Sequence, residues 1–491
     1  MKFYTVVLLF AIALHPIIAQ TNFIKKEIDG ELVAVKKIFN ENENELFGYF
    51  ILKDMGFTQS YKRKYDYEIL DKNYNKVLNG SFIENIYHKK YVNLLKTVLT
   101  EVLINDNQIL FQYGFKIDNS KFPNSFSHKL RFLNLSNNKI SEPFYNDGQQ
   151  LKPTIELEES EIKPFQKNDL QTYYSGGAQL SYFVVPNKGF LCINYEYGQD
   201  SPFIFNNEGK KVMQIDHEMD KDGYLFPSLI DKDYLINVSR KIGEDIIIAY
   251  DYANEGKKIF SRKHGSDKYS FYAKRVKQND NEIYVLGEVY IQQSNGNRNP
   301  VGIYKRIIDR KTGDEKKLDV IQYSKFPKNL NIDNQGKIEG KGKIVFQYFD
   351  ISPNGDVLAL AETYKERSRI DIYNNIILIN LDQDMKIKKA ESFEAAETKG
   401  YKFSYAQDLP ENEGKMICFL NKDEDKNWEL LTFAYKYKTD EIVRSQITLE
   451  KNEGEISFSP SKKGFISILE FYKKAKPGEK QVELRIEKLK Y

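Results

Sequence analysis

ISPNGDVLALAE at residues 351–362 and ILINLDQDMKI at 377–387 decide the fold. The first is a strand, a turn holding Pro, Asn and Gly, and then a strongly apolar strand. The second is an apolar strand that closes on Asp, followed by a short polar turn and a lysine-led strand. Asn, Asp and Gly tolerate the positive φ that tight turns demand, so each stretch reads as one β-hairpin.

Both kinds recur. The first returns as FNENENELFGYFIL at 39–52, INDNQILFQYGF at 104–115, VVPNKGFLCINY at 184–195 and KQNDNEIYVLGEVY at 277–290. Further copies lie at 227–238, 407–420 and 458–471. The second returns as YEILDKNYNKVL at 67–78, FIFNNEGKKVM at 203–213 and IAYDYANEGKKIF at 248–260. Its other copies lie at 130–140, 304–318 and 431–443. The two kinds alternate strictly, so the repeating unit is four antiparallel strands, A to D, with tight A–B and C–D turns. Units spaced roughly 45 to 80 residues apart fit a radial repeat, in which each sheet buries its faces against its neighbours.

The expected fold is therefore all-β, a single β-propeller spanning residues 20–491. Eight blades are favoured, with seven as the alternative because 141–178 resists assignment, and two smaller β domains as a competing architecture. The eighth unit lacks a fourth strand, while FIKKEI at 23–28 precedes the first unit. An N-terminal strand completing the last blade would close the ring without exposed edges.

Residues 1–19 read as a signal peptide: Lys2, the apolar run Val6–Leu14 and the small Ala19 before the cut. The run is shorter than the roughly 20 residues a spanning helix needs, and no later stretch is long enough. The chain is thus expected to be exported, to the periplasm, outer surface or exterior, and to be a monomer. Acids and bases nearly cancel, 70 against 73, which gives no overall field for nucleic acid. Cys192 and Cys418 sit in apolar strands and read as buried thiols, with a bridge as the alternative. The 34 Tyr and 32 Phe suit a pleated, half-buried surface.

ISPNGDVLAL and SFSPSKKGFISIL resemble the SPDG-x-hydrophobic-Ala turn of many propeller repeats. GYF at 48–50 with YEILDKNYNKVL, and later EIYVLGEVYI, is similar to a group of uncharacterised secreted β-propeller-like proteins of Bacteroidetes. That resemblance implies a secreted propeller and carries no activity.

In a four-stranded unit the B–C and D–A connections share one end. The long segments 117–127, 292–300, 365–373, 422–427 and 473–480 read as B–C connections, and 141–178, 216–223 and 324–341 as D–A. A partner is expected on that face, because loops on a rigid scaffold carry binding. The candidate binding residues are Tyr173 and Tyr174 beside Ser175-Gly-Gly177, Arg298, Lys365, Arg367 and Arg369. Arginine and tyrosine there suit a peptide, a protein or an anionic glycan, and ordinary solvated loops are the competing reading. Glu218, Asp220 and Asp222, closed by Gly223, form a candidate calcium loop of alternate acids. The bidentate acid of an EF-hand would fall on Leu229, so a polar turn competes. No other cofactor is expected.

Neither a glycine-rich phosphate loop nor GxSxG, HExxH or CxxC occurs. The histidines after the leader are scattered, and His217 between Asp216 and Glu218 is the best placed. A non-catalytic binding or scaffold protein is the leading expectation. A propeller enzyme acting on carbohydrate, and a structural envelope protein, are the alternatives.

Overall fold

The alternating hairpins assemble into eight antiparallel sheets, the blades of one β-propeller. The structure is a computed structural model describing residues 22–27, 30–39, 46–59, 62–85, 95–117, 126–146, 151–153, 180–194, 202–218, 225–241, 244–266, 268–292, 298–367, 370–422, 428–448, 455–472, 475–476, 478–489 and 491.

Blade 1 is Glu31–Phe39, Leu46–Gln59, Lys62–Asp71 and Lys76–Asn85. Blade 2 has Leu95–Asn105, Gln108–Ile117 and Phe126–Asn134. Its outer edge is split among the short strands Lys139–Ile140, Phe144–Asn146 and Leu151–Pro153. Blade 3 occupies 180–214 and blade 4 occupies 227–265. Blade 5 is Tyr269–Gln278, Glu282–Gln292, Arg298–Asp309 and Glu315–Gln322. Blade 6 is Gly342–Ile351, Val357–Arg367, Ile370–Leu381 and Ile387–Phe393. Blade 7 is Phe403–Asp408, Gly414–Lys422, Trp428–Lys436 and Glu441–Thr448. Blade 8 supplies Glu455–Pro460, Phe465–Phe471 and Lys480–Lys488. Its fourth strand is Asn22–Glu27, which pairs antiparallel with Lys480–Lys488 from Asn22↔Ile486 onward. Both the eight-blade count and the closing strand follow the reading of the sequence.

Side chains alternate across each strand, so one strand feeds two junctions. Tyr49 and Ile51 face blade 8, while Phe50 and Leu52 face blade 2. Eight apolar clusters of described residues result, one at each junction. The cluster of Val35, Leu46 and Tyr49 with Leu469, Val482 and Leu484 joins blade 8 to blade 1. Each fully buried large apolar side chain is worth about 1.5–3 kcal/mol, so closure rests on packing as well as on the strand ladder.

The C–D turns are built as their residues require. Asp71, Asn206 and Asp382 each accept backbone N–H bonds from two and four residues ahead, at 2.7–3.0 Å. The tight turn then swings through positive φ at Tyr74, Gly209 and Met385. Cys192 and Cys418 are buried in different junctions, and burial pushes both thiols up to about 12.

Two connections differ from expectation. The B–C segment 365–373 is mostly strand, leaving only 368–369 between Arg367 and Ile370, and that at 292–300 shrinks to 293–297. Lys365 and Arg367 therefore end a strand, and Arg298 begins one. No helix among the described residues is long and apolar enough to cross a membrane.

Candidate functional site

The D–A connection between blades 5 and 6 builds a concavity. Two 3-10 turns, Tyr323–Lys325 and Lys328–Leu330, lead into a small hairpin bridged Ile332↔Ile338. Asp333 closes its turn by accepting the N–H groups of Gln335 and Lys337, each at 2.8 Å. Tyr323, Phe326, Leu330 and Ile338 are buried in the junction between blades 5 and 6, so the connection is pinned to the scaffold. Gly342 then passes the B strand so closely that a Cβ would lie 2.1 Å from the Tyr364 carbonyl oxygen, at φ +96°.

Between this connection and the lower end of blade 6 lies a cleft of about 1350 Å³. Asn329, Asn331, Lys337 and Lys343 come from the connection and its exit. Tyr364, Lys365, Asn375 and Ser392 come from strands B to D, and Glu394 follows strand D. Its volume exceeds the roughly 300–1,000 Å³ of a small-molecule pocket, which suits an extended ligand. Tyr364 is the register partner of Tyr373 and stacks on it at 5.8 Å. Tyr373 packs against Tyr401 at 4.6 Å. Tyr373 is buried and Tyr401 is 59% exposed. Burial, then the hydrogen bond to Tyr401, raises the Tyr373 phenol.

Of the expected binding residues, Lys365 lines this cleft. Arg298 and Arg367 are placed by backbone on strands, and nothing is described of their side chains. Tyr173, Tyr174 and Arg369 lie outside the described residues, as do Asp220 and Asp222 of the calcium loop. Glu218 is exposed, and no group of three or more His, Cys, Asp or Glu is gathered for a metal among the described residues. His217 is buried, with Nδ1 2.6 Å from the Tyr250 hydroxyl, a contact of the junction between blades 3 and 4.

Buried charges elsewhere are staples between blades. Glu84 of blade 1 meets Lys129, Arg131 and the Tyr113 hydroxyl of blade 2, with Arg131 Nη2 donating at 2.9 Å. Burial opposes ionisation of Glu84, but the two cations outweigh it and hold its carboxyl below the usual range. Arg306 of blade 5 is fully buried, donates to Asp245 of blade 4 at 3.1 Å and to Glu315 at 2.8 Å, and lies 4.4 Å from the Phe271 ring centre. At the tight-turn end, Asp350 and Asp408 both meet Lys415 Nζ, at 2.6 and 2.5 Å, and Lys277 also pairs with Asp350. Burial disfavours the Asp350 charge, yet Lys415 and Lys277 lower its pKa, so it stays ionised and is no proton donor.

One repeated device escaped the reading of the sequence. Glu288 of blade 5 and Glu362 of blade 6 occupy the same position on strand B, each opposite an isoleucine of strand C. Each accepts backbone N–H from the next blade: Phe346 to Glu288 at 3.4 Å, and Lys402 and Phe403 to Glu362 at 2.9–3.1 Å. At the junction of blades 8 and 1, Gln481 does the same for Leu32 at 2.9 Å. The visible trace is an acid inside an apolar strand, GEVY at 287–290 and AETY at 361–364. Among the described residues Glu362 is the carboxyl pushed upward, by burial, and its oxygens are committed to these N–H groups.

No curated protein matches the chain in sequence. The crystal structure of polysaccharide lyase Uly1 is similar over 79% of this chain and 89% of its own, at 11% identity and TM-score 0.42. A eukaryotic initiation factor is similar over 87% and 90%, at 9% identity and TM-score 0.35. The NanB sialidase from Streptococcus pneumoniae is similar over 95% and 69%, at 9% identity and TM-score 0.29. Likenesses this distant carry no argument about activity. Residues 371–490, from strand C of blade 6 through blade 8, match a family of unknown function, DUF6770.

Proposed function

We propose that this protein is an exported, non-catalytic binding protein whose partner docks on the face carrying the B–C and D–A connections, centred on blade 6. The observation that carries this reading is the cleft under the 323–341 connection, with Lys365 in its wall. Its rim is fixed by Leu330 and Ile338 in the core, so little ordering cost falls on binding. A hydrolytic reading needs convergent acids with one held protonated. Glu362, the carboxyl raised by burial, is spent on the backbone of blade 7.

The test is binding of the purified protein to glycan and peptide arrays, repeated with Tyr364→Ala and with Lys365→Ala. A ligand that binds the wild type and is lost from both variants supports the reading. A ligand whose binding ignores both variants places the site elsewhere and refutes it.

A further inference from the structure

Three lysines in the cleft wall have no carboxylate partner among the described residues: Lys337, Lys343 and Lys365. Three acids share the wall, Asp333, Glu339 and Glu394. Glu394 pairs with Lys341 at 3.3 Å, and one Asp333 oxygen is held by its own turn. With Lys341 the lining holds four lysines against these three acids, a small positive balance whose unpaired cations among the described residues are Lys343 and Lys365 on strands A and B and Lys337 on the hairpin.

Beside these lysines stand groups of a different kind. Asn329, Asn331 and Asn375 bring amides, which both donate and accept. Tyr364 forms part of the wall, and Tyr401 lies beyond Tyr373, which backs both rings. An aromatic ring 59% exposed yet packed at 4.6 Å on a buried ring is a preset contact surface rather than a core residue. Polyhydroxylated chains call for this mixture: amides for hydroxyls, ring faces for C–H surfaces and cations for acidic substituents.

We propose that the blade 6 cleft binds an anionic oligosaccharide, with Lys343 and Lys365 meeting its acidic groups and Tyr401 stacking on a sugar ring outside the cleft. A peptide added as a strand is disfavoured at the hairpin, because Ile338 is paired with Gly342 on one side and bridged to Ile332 on the other, leaving no free edge there to extend. This assignment rests on the binding reading above.

The experiment is calorimetric titration of the full chain with an oligogalacturonate, its methyl ester, a sulfated oligosaccharide and a neutral cello-oligosaccharide. The Lys343→Ala/Lys365→Ala double variant and Tyr401→Ala are run alongside, with thermal unfolding as a check on folding. Binding of the oligogalacturonate or the sulfated chain, weakened about tenfold or more by the double lysine change and about fivefold by Tyr401→Ala, supports the proposal. Preference for the oligogalacturonate over its methyl ester identifies carboxylate as the group read, and preference for the sulfated chain identifies sulfate. Equal binding of charged and neutral chains overturns the anionic assignment. So does binding of none of them. A peptide ligand lost from Tyr364→Ala and Lys365→Ala would overturn the sugar assignment while leaving the docking face intact.

Discussion

Blades 5 and 6 carry the same acid at the same place and treat it differently. Glu288 accepts one long N–H bond from blade 6, takes the Tyr290 hydroxyl at 3.1 Å and has Lys274 at 3.5 Å. Glu362 accepts the N–H groups of Lys402 and Phe403, while the Lys402 ammonium turns away to the Tyr373 carbonyl at 2.6 Å. The stitch between blades is therefore a property of the strand position, and what else reaches the acid differs between the two. In blade 5 the Lys274 ammonium arrives. Where only amides arrive, burial raises the Glu362 carboxyl and lowers the Lys402 amine to about 8.

The sharpest way to break this comparison is Glu362→Ala. It strands two N–H groups in a closed junction, so the expected loss is about 2–5 kcal/mol in denaturant unfolding. Glu362→Gln keeps an acceptor and should cost well under half as much. If the two variants cost the same, the stitch does not depend on accepting N–H bonds. Glu288→Ala comes next, at about 1–2 kcal/mol, because its N–H bond is longer and Lys274, partly exposed, can turn to water.

The pH dependence has signs that separate the groups. The folded Lys402 amine titrates near 8, below the ordinary 10.5. Between those values the unfolded chain binds the extra proton, so the Lys402 contribution to stability climbs as pH rises from about 8 to 10.5, against the opposite slope of the raised Cys192 and Cys418 thiols above about 9. Lys402→Met should remove that contribution and leave the one from Lys37, which burial lowers to about 8 as well. Glu362, raised above 4.5, contributes the opposite slope: stability grows as pH falls through its folded pKa. Glu84, held low, contributes stability above 4.5 that is lost as pH falls through its depressed value. Melting temperatures of wild type, Glu362→Gln and Glu84→Gln across the acidic range test both signs. The smallest effect belongs to Lys365→Ala, partly exposed and without an ion pair among the described residues, which should shift stability by less than about 0.5 kcal/mol.

The blade plan was legible because its determinants are local. Period-two alternation and Asn, Asp or Gly turns repeat in every unit, and the short FIKKEI strand had an evident vacancy to fill in blade 8. Blade 2 was harder, since its outer edge is broken into strands of two and three residues rather than one clear segment. The cleft was legible only in part. Its wall draws on residues from 329 to 394, which the fold of blade 6 and its connection bring together. Lys365 was read as a loop residue, but the strands around it run nearly to their turn and place it at a strand end. The Glu288 and Glu362 stitches left a trace, an acid in an apolar run, whose meaning depends on a neighbouring blade.

The strand Asn22–Glu27 has a further consequence. The ring is held shut by a pairing between residues more than 450 positions apart, such as Asn22 with Ile486. Contacts of that separation are the slowest kind to form, because the whole intervening chain must first be gathered in. Blades 1 to 7 can each fold on local pairings as they emerge, but the eighth must wait for both of its parts. The closing strand thus acts as a clasp that engages last. It also makes the join in the ring non-covalent, so a permuted chain opened at another tight turn and linked through blade 8 should still form the same circle.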